Sequence, residues 1–123
     1  MSLPKPHRLR RRQDFQKVYQ YGKRHQQVHL TLRSLRHLPD STTENLPATR
    51  FGISVSKTVS KKAVIRNLLK RQVKAALRQM LPRITSGWSV IIGVRPSAQG
   101  CEYVEILREL EQLLASAGIF DGH

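Results

Sequence analysis

Three groups of side chains in this sequence have the chemistry to act on a partner. His25 and His29 stand four residues apart, a spacing that lets two imidazoles share a metal when they lie on one face of a helix. Their surroundings read as strand, and no further ligand lies close by in the chain, so no metal site is assigned to the protein. Cys101 is the single cysteine. It can form no internal disulfide, lacks the companions of a thiolate metal site, and has no histidine near it in sequence to activate it, a pattern that suits a reducing cytosol. Glu102, Glu105 and Glu109 repeat at i, i+3 and i+7, as on the exterior of a helix, and read as a solvated face. There is no Gly-x-Ser-x-Gly elbow, no P-loop and no dinucleotide glycine motif. The centre of the chain also lacks the clustered carboxylates that acid–base or two-metal hydrolysis uses. A self-sufficient protein active site is not expected. His7, His37 and His123 read as surface or RNA-contacting residues.

The cations carry the strongest signal. Lys and Arg number 22 against 8 Asp and Glu, a formal net charge of +14, and the pI is near 11.2. Such an excess opposes compaction by self-repulsion, and an anionic partner explains it. No acidic residue lies between Glu44 and Glu102, while eleven cations do. Within that stretch, "KKAVIRNLLKR" at residues 61–71 opens the longest helical pattern, 61–81, which Pro82 ends. At about 100° per residue, Ile65, Leu69, Val73, Ala76 and Met80 form a core stripe. Lys62, Arg66, Lys70, Lys74 and Arg78 recur every fourth residue beside it, with Asn67 and Arg71 on the same side. No Asp or Glu sits at an i±4 position to neutralise this row. Like charges at that spacing cost a few tenths of a kcal/mol per pair, so the row points to nucleic acid or another polyanion.

Aromatic residues add a second surface. Phe15 and Tyr19 lie one helical turn apart beside Arg11, Arg12 and Lys23, an arrangement able to stack unpaired bases. Packing of Phe15 into the core is the competing reading.

These residues require a frame. Residues 1–11 read as an extended, mobile basic arm, because Pro4 and Pro6 exclude a stable helix. Asp14–Tyr21 reads as a short helix ending at Gly22. From Val28 the pattern has period two, with Val28, Leu30 and Leu32 on one face; it slips at Ser34-Leu35, which suggests a bulge or strand end. Residues 39–47 are a polar connection. "RFGISVSK" places Phe51, Ile53 and Val55 on one side and Gly52, Ser54 and Ser56 on the other. "WSVIIGVRP" reads as a more buried strand, and Tyr103 to Ala117 as a closing helix. The result is an α+β single domain spanning 1–123. One sheet face is apolar and covered by helices, while the other, with Thr31, Arg33, Ser54, Ser56 and Arg95, is open and polar. No apolar run approaches the roughly 20 residues of a membrane span, no secretory signal is evident, and a cytoplasmic location is expected.

The stretches "HRLRRRQDFQKVYQYGKR" and "RFGISVSKTVSKKAVIRNLLKRQVKAALR" resemble the bacterial ribonuclease P protein subunit. The likeness runs from about His7 to Gln79 and more weakly beyond. Arg66, Asn67, Lys70 and Arg71 match the family's helix signature, and Asp14 to Tyr19 match a second motif. The sequence departs from the family at Leu68, the third signature position, at Arg33, where an aromatic is common, and at Ser60, where glycine is usual. The resemblance implies a two-layer α/β sandwich of α-β-β-β-α-β-α order with a left-handed crossover, like the second domain of a small-subunit ribosomal protein. It also implies one more short strand near Arg24–Gln27. It further implies that catalysis belongs to an RNA subunit with Mg²⁺, and that the protein assists 5′-leader removal from precursor tRNA. On that basis Lys61, Lys62, Arg66, Asn67, Lys70, Arg71 and Lys74 are expected to hold the RNA subunit. Phe15, Tyr19, Arg33, Ser54, Ser56 and Lys57 are expected to line the leader cleft. A structural rRNA-binding protein of similar fold, or a helix-turn-helix DNA-binding protein with 61–81 as recognition helix, are the alternatives.

Overall fold

The computed structural model describes residues 3–36 and 48–120. The expected connection at 39–47, together with His37 and His123, lies outside the described residues. The elements run α1 (Arg12–Tyr21), β1 (Lys23–Gln26), β2 (Leu30–Arg36), β3 (Arg50–Val55), α2 (Ala63–Met80), β4 (Trp88–Val94) and α3 (Tyr103–Ser116). This is the α-β-β-β-α-β-α order, including the short extra strand, which falls at Lys23–Gln26.

The four strands form one mixed sheet in the order β1-β2-β4-β3. β2 pairs antiparallel with β1 and β4, whereas β3 runs parallel to β4. A parallel pair needs a long crossover, and α2 supplies it. Register places Leu32, Ile92 and Ile53 across one face and Arg33, Ile91 and Gly52 across the other. The first face carries the main core. There Leu30, Leu32, Phe51, Val90 and Ile92 meet Leu69, Val73, Ala76 and Leu77 of α2 and Ile106, Leu110 and Leu113 of α3.

The second face is not wholly open. Leu9, Phe15, Val18, Leu35 and Ile91 form a smaller cluster there, so α1 covers one end of the face. This accounts for two apparent irregularities in the sequence. Ile91 is apolar because α1 sits on it. The slip at Ser34-Leu35 is no bulge: β2 stays in register with β4 through Ser34↔Val90 and Leu35↔Ser89. Ser34 takes a buried place on the core side, and Leu35 a half-buried one against the cluster under α1.

Three other expectations are corrected. Val28 lies ahead of β2 and is 64% exposed, so the strand begins at Leu30. Residues 3–11 are not a free arm: Leu3 and Leu9 are buried, and Lys5–His7 forms a 3-10 turn that has Pro6 within its first positions. The amide of Leu9 donates to the Phe51 carbonyl at 2.9 Å, and His7 Nδ1 meets the Thr49 carbonyl at 2.8 Å, which binds the arm along β3. The closing carboxylates are not one solvated face. Glu102 and Glu105 form a reciprocal capping box at the start of α3, and Glu109 is only 8% exposed. Its Oε1 accepts the backbone hydrogens of His29 at 2.8 Å and Leu30 at 3.1 Å.

Candidate nucleic-acid interface

α2 begins at Ala63, with Lys62 as N-cap. No side chain caps this end, and no acidic residue lies in the first turn. The positive end of the helix dipole therefore faces outward between Lys61 and Lys62, both exposed. A helix start with free amides and flanking cations is a ready phosphate site. The loop before it is self-supporting. Ser60 Oγ accepts the Lys62 amide at 3.2 Å, and the Arg66 guanidinium donates to the Ser60 carbonyl at 2.8 Å. No non-glycine residue among the described ones has a positive φ. Serine therefore serves at position 60 without strain, and the departure from glycine costs the loop nothing.

Along the helix the cationic row divides. Arg66 turns back to its own loop. Lys70 and Lys74, half-buried, line a groove of about 270 Å³ that also includes Arg8, Arg10, Phe15 and Gly52. Asn67 and Arg71 are exposed further round. Arg71 and Arg78 border a second groove of about 600 Å³, between α2 and α3, together with Leu68, Ala75 and Tyr103. Leu68 does not extend the core: it is 52% exposed. The core stripe takes Leu77 instead, which the wheel places between Val73 and Lys70, while Ile65 is only half-buried.

The α1 surface answers the question about Phe15. Its ring lies directly on Gly52 of β3, where an added Cβ would come within 2.4 Å of it. Glycine at 52 is thus the seat of the ring, and the pairing of a small strand residue with a helical aromatic becomes readable only with α1 placed on this face. Phe15 is half-buried and joins the smaller core, with one side left on the Lys70/Lys74 groove. Tyr19 is 47% exposed, and the Arg33 guanidinium stands 5.2 Å from its ring centre. Arg33 therefore presents a stacked cation where the family commonly has an aromatic, a contact typically worth about 0.5–1 kcal/mol at an exposed site. Asp14, in the first turn of α1, pairs with Arg50 at 3.8 Å.

Beyond α1 the sheet face is small and polar. Thr31, Gly93 and Ser54 are register partners across three strands. Ser56 and Lys57 follow β3 in an exposed turn, where the Ser56 and Thr58 hydroxyls bond to each other. Arg95 belongs less to this surface, since its guanidinium donates to the Gln27 carbonyl at 2.9 Å. The fold thus brings Phe15, Tyr19 and Arg33 together beside Ser54. Lys70 and Lys74 share a groove with Phe15 and Gly52 rather than with Arg71. Among the described residues α2 follows a strand and a turn, not a short helix, so there is no helix-turn-helix.

A mixed four-stranded sheet with a basic crossover helix and an aromatic-edged polar face has the makings of a nucleic-acid-binding protein. Comparison with known proteins makes the class specific. The Ribonuclease P family model matches residues 3–118. The ribonuclease P protein component of Microcystis aeruginosa is 55% identical over the full length of both chains. That of Synechocystis is 50% identical, covering all of this chain and 95% of its own. Among solved structures, a Staphylococcus aureus RNase P protein mutant with defective mRNA degradation activity superposes with a TM-score of 0.80 at 26% identity, covering 94% of this chain and 92% of that one. The Thermotoga maritima RNase P protein gives 0.75 at 25% identity, covering 89% and 96%. The chain belongs to the bacterial ribonuclease P protein family. It is an accessory subunit of a ribonucleoprotein endonuclease of tRNA processing, and its partner is the ribonuclease P RNA. No helix among the described residues is long and apolar enough to cross a membrane.

Proposed function

We propose that this chain assists removal of the 5′ leader from precursor tRNA by gripping two RNAs at once. The α2 start, with Lys61, Lys62, Arg66, Asn67 and Arg71, holds the catalytic RNA subunit through its phosphates. The cleft of Phe15, Tyr19, Arg33, Ser54, Ser56 and Lys57 receives the single-stranded leader. Lys70 and Lys74 stand between the two and serve both. The observation that carries this reading is the Tyr19–Arg33 stack above an uncovered polar sheet face, bordered by the lysine groove. Stacking suits unpaired bases of any sequence, and the lysines suit a backbone that tracks past them. Chemistry is left to the RNA subunit with Mg²⁺. The protein interface fits that ion poorly, because Mg²⁺ is usually held through carboxylates and, among the described residues of this interface, the carboxylate is that of Asp14, already facing Arg50. The assembly would act in the cytoplasm, where precursor tRNA is made.

Reconstitution tests this reading directly. Added to a bacterial ribonuclease P RNA and precursor tRNA, the chain is expected to lower the Mg²⁺ needed for leader cleavage. No change in either the Mg²⁺ requirement or the rate would refute it. Arg66→Ala is expected to weaken RNA-subunit binding and Phe15→Ala leader binding, and equal losses of both from either change would contradict two separate grips.

A further inference from the structure

The turn Gln27–His29, ahead of β2, packs against the first half of α3 on the acidic side of the molecule. Four side chains there have ligand chemistry that the RNA-binding reading does not use. His29 Nε2 lies 3.8 Å from Glu105 Oε2 and 3.9 Å from Glu109 Oε2. The ligand atoms of His29, Cys101 and Glu105 all fall within 4.8 Å of one another. Chain order conceals this set, since Cys101 has no histidine near it in sequence and the nearest partner for His29 along the chain is His25.

The proton positions favour a cation. Ser97 Oγ donates to the Val28 carbonyl at 2.6 Å, so its own hydrogen is committed. Toward His29 Nδ1, at 3.1 Å, the same oxygen can therefore only accept. Nδ1 then carries the hydrogen, and in the neutral ring Nε2, the nitrogen that faces the two carboxylates, holds the lone pair. This is the way metal-bound histidines are oriented by their outer hydrogen bond. Glu109 fixes the turn by holding the amides of His29 and Leu30 with Oε1, which turns its Oε2 toward the ring. Separations of 3.8–3.9 Å are too long for hydrogen bonds. They are close to what two ligands of one ion need, given bonds of about 2.0–2.3 Å. A solvent-open cavity of about 250 Å³, with Arg108 and Gln112 on its wall, leads to the carboxylates.

We infer that His29 Nε2, Cys101 Sγ and the Glu105 carboxylate form a binding site for one Zn²⁺-class ion, with Glu109 as its positioning residue. The mixed N, S and O donors exclude Mg²⁺ and Ca²⁺ as natural occupants and suit zinc. Three protein ligands leave one coordination position to water. Burial, and then the charges of Glu105 and Glu109, push the Cys101 thiol up from its ordinary pKa.

Cobalt reports on thiolate ligation. The reduced, chelator-stripped full chain, titrated with Co²⁺, is expected to show a thiolate-to-metal charge-transfer band at one ion per chain that Zn²⁺ displaces. Cys101→Ser should abolish the band, and His29→Gln should weaken binding at least about 100-fold. Glu109→Gln should cost about 10–100-fold, the range for an outer-shell partner. His25→Gln should change nothing, and RNA affinity should survive in all four variants. Absence of the band, or equal cobalt binding by wild type and Cys101→Ser, would overturn the site in favour of a plain imidazole–carboxylate contact. If Cys101→Ser fails to fold, Glu105→Gln, at a more exposed position, takes its place: weakened cobalt binding is expected, and unchanged binding would overturn the site.

Discussion

α2 and α3 lie side by side on one face of the sheet and share a core, yet they are built on opposite electrostatic plans. α3, with 14 residues, has a capping box and an acid in its first turn, and its buried Glu109 satisfies two backbone amides of β2 and its turn. Its charges are answered inside the chain. α2, with 18 residues, starts on a lysine with no cap and no acid, and repeats like charges along one flank. No Asp or Glu on its own helix answers those charges. The contrast separates a helix whose charges are settled within the fold from one that carries a row of like charges, a local repulsion that bound phosphate would relieve.

The strongest test of this contrast falls on α3. Glu109→Ala strips the acceptor from the buried Leu30 amide and the part-buried His29 amide and should destabilise the free protein by about 3 kcal/mol, measured by urea unfolding. Affinity for the RNA subunit, measured on the folded fraction, should stay within about twofold. The converse change is Lys70→Ala with Lys74→Ala. It should cost roughly tenfold in RNA affinity per residue and flatten the log-affinity against log-salt slope by about 0.7–0.9 for each phosphate no longer neutralised, with unfolding unaltered. Tyr19→Ala should reduce binding of a single-stranded leader by about 1–3 kcal/mol, the scale of one stacked base, while RNA-subunit binding holds. Gly52→Ala pushes a methyl into Phe15 and should cost about 1–2 kcal/mol of stability through overpacking, with leader binding weakened in parallel. The smallest change is the most telling. Lys70→Glu would place an acid between Arg66 and Lys74 and should stabilise the free protein by about 0.5 kcal/mol while impairing RNA binding. Stability and function changing in opposite directions at one residue is the mark of a surface shaped for a partner.

Much of this is legible in the chain itself. The element order, the crossover helix and its row of like charges follow from local periodicity and composition, which are properties of neighbours in sequence. What cannot be read there depends on contacts between distant segments. Leu35 and Ile91 look irregular until α1 covers them, and Glu109 looks like an exterior acid until the β1–β2 turn arrives beneath it. Leu68 looks like core on a helical wheel, but the wheel gives only an angle, and α3 leaves that angle partly uncovered. Phe15 reads equally as core and as platform because it stands at the margin of the smaller core, packed on Gly52 and lining the lysine groove.

The binding of residues 3–11 along β3 has a further meaning at the rim of the sheet. An outermost strand with unpaired backbone groups is a template for another copy of the same strand. At β3, Arg8 bridges Phe51 and the Leu9 amide takes its carbonyl, which closes that rim from within the chain. At the opposite rim, β1 is only four residues long and carries Lys23 and Arg24, so two copies would meet charge against charge. A polycation must persist between synthesis and assembly without sticking to its own kind, and here both rims are guarded while the broad face stays open. Self-pairing through the strand rims is thus opposed while the face offered to RNA is left accessible.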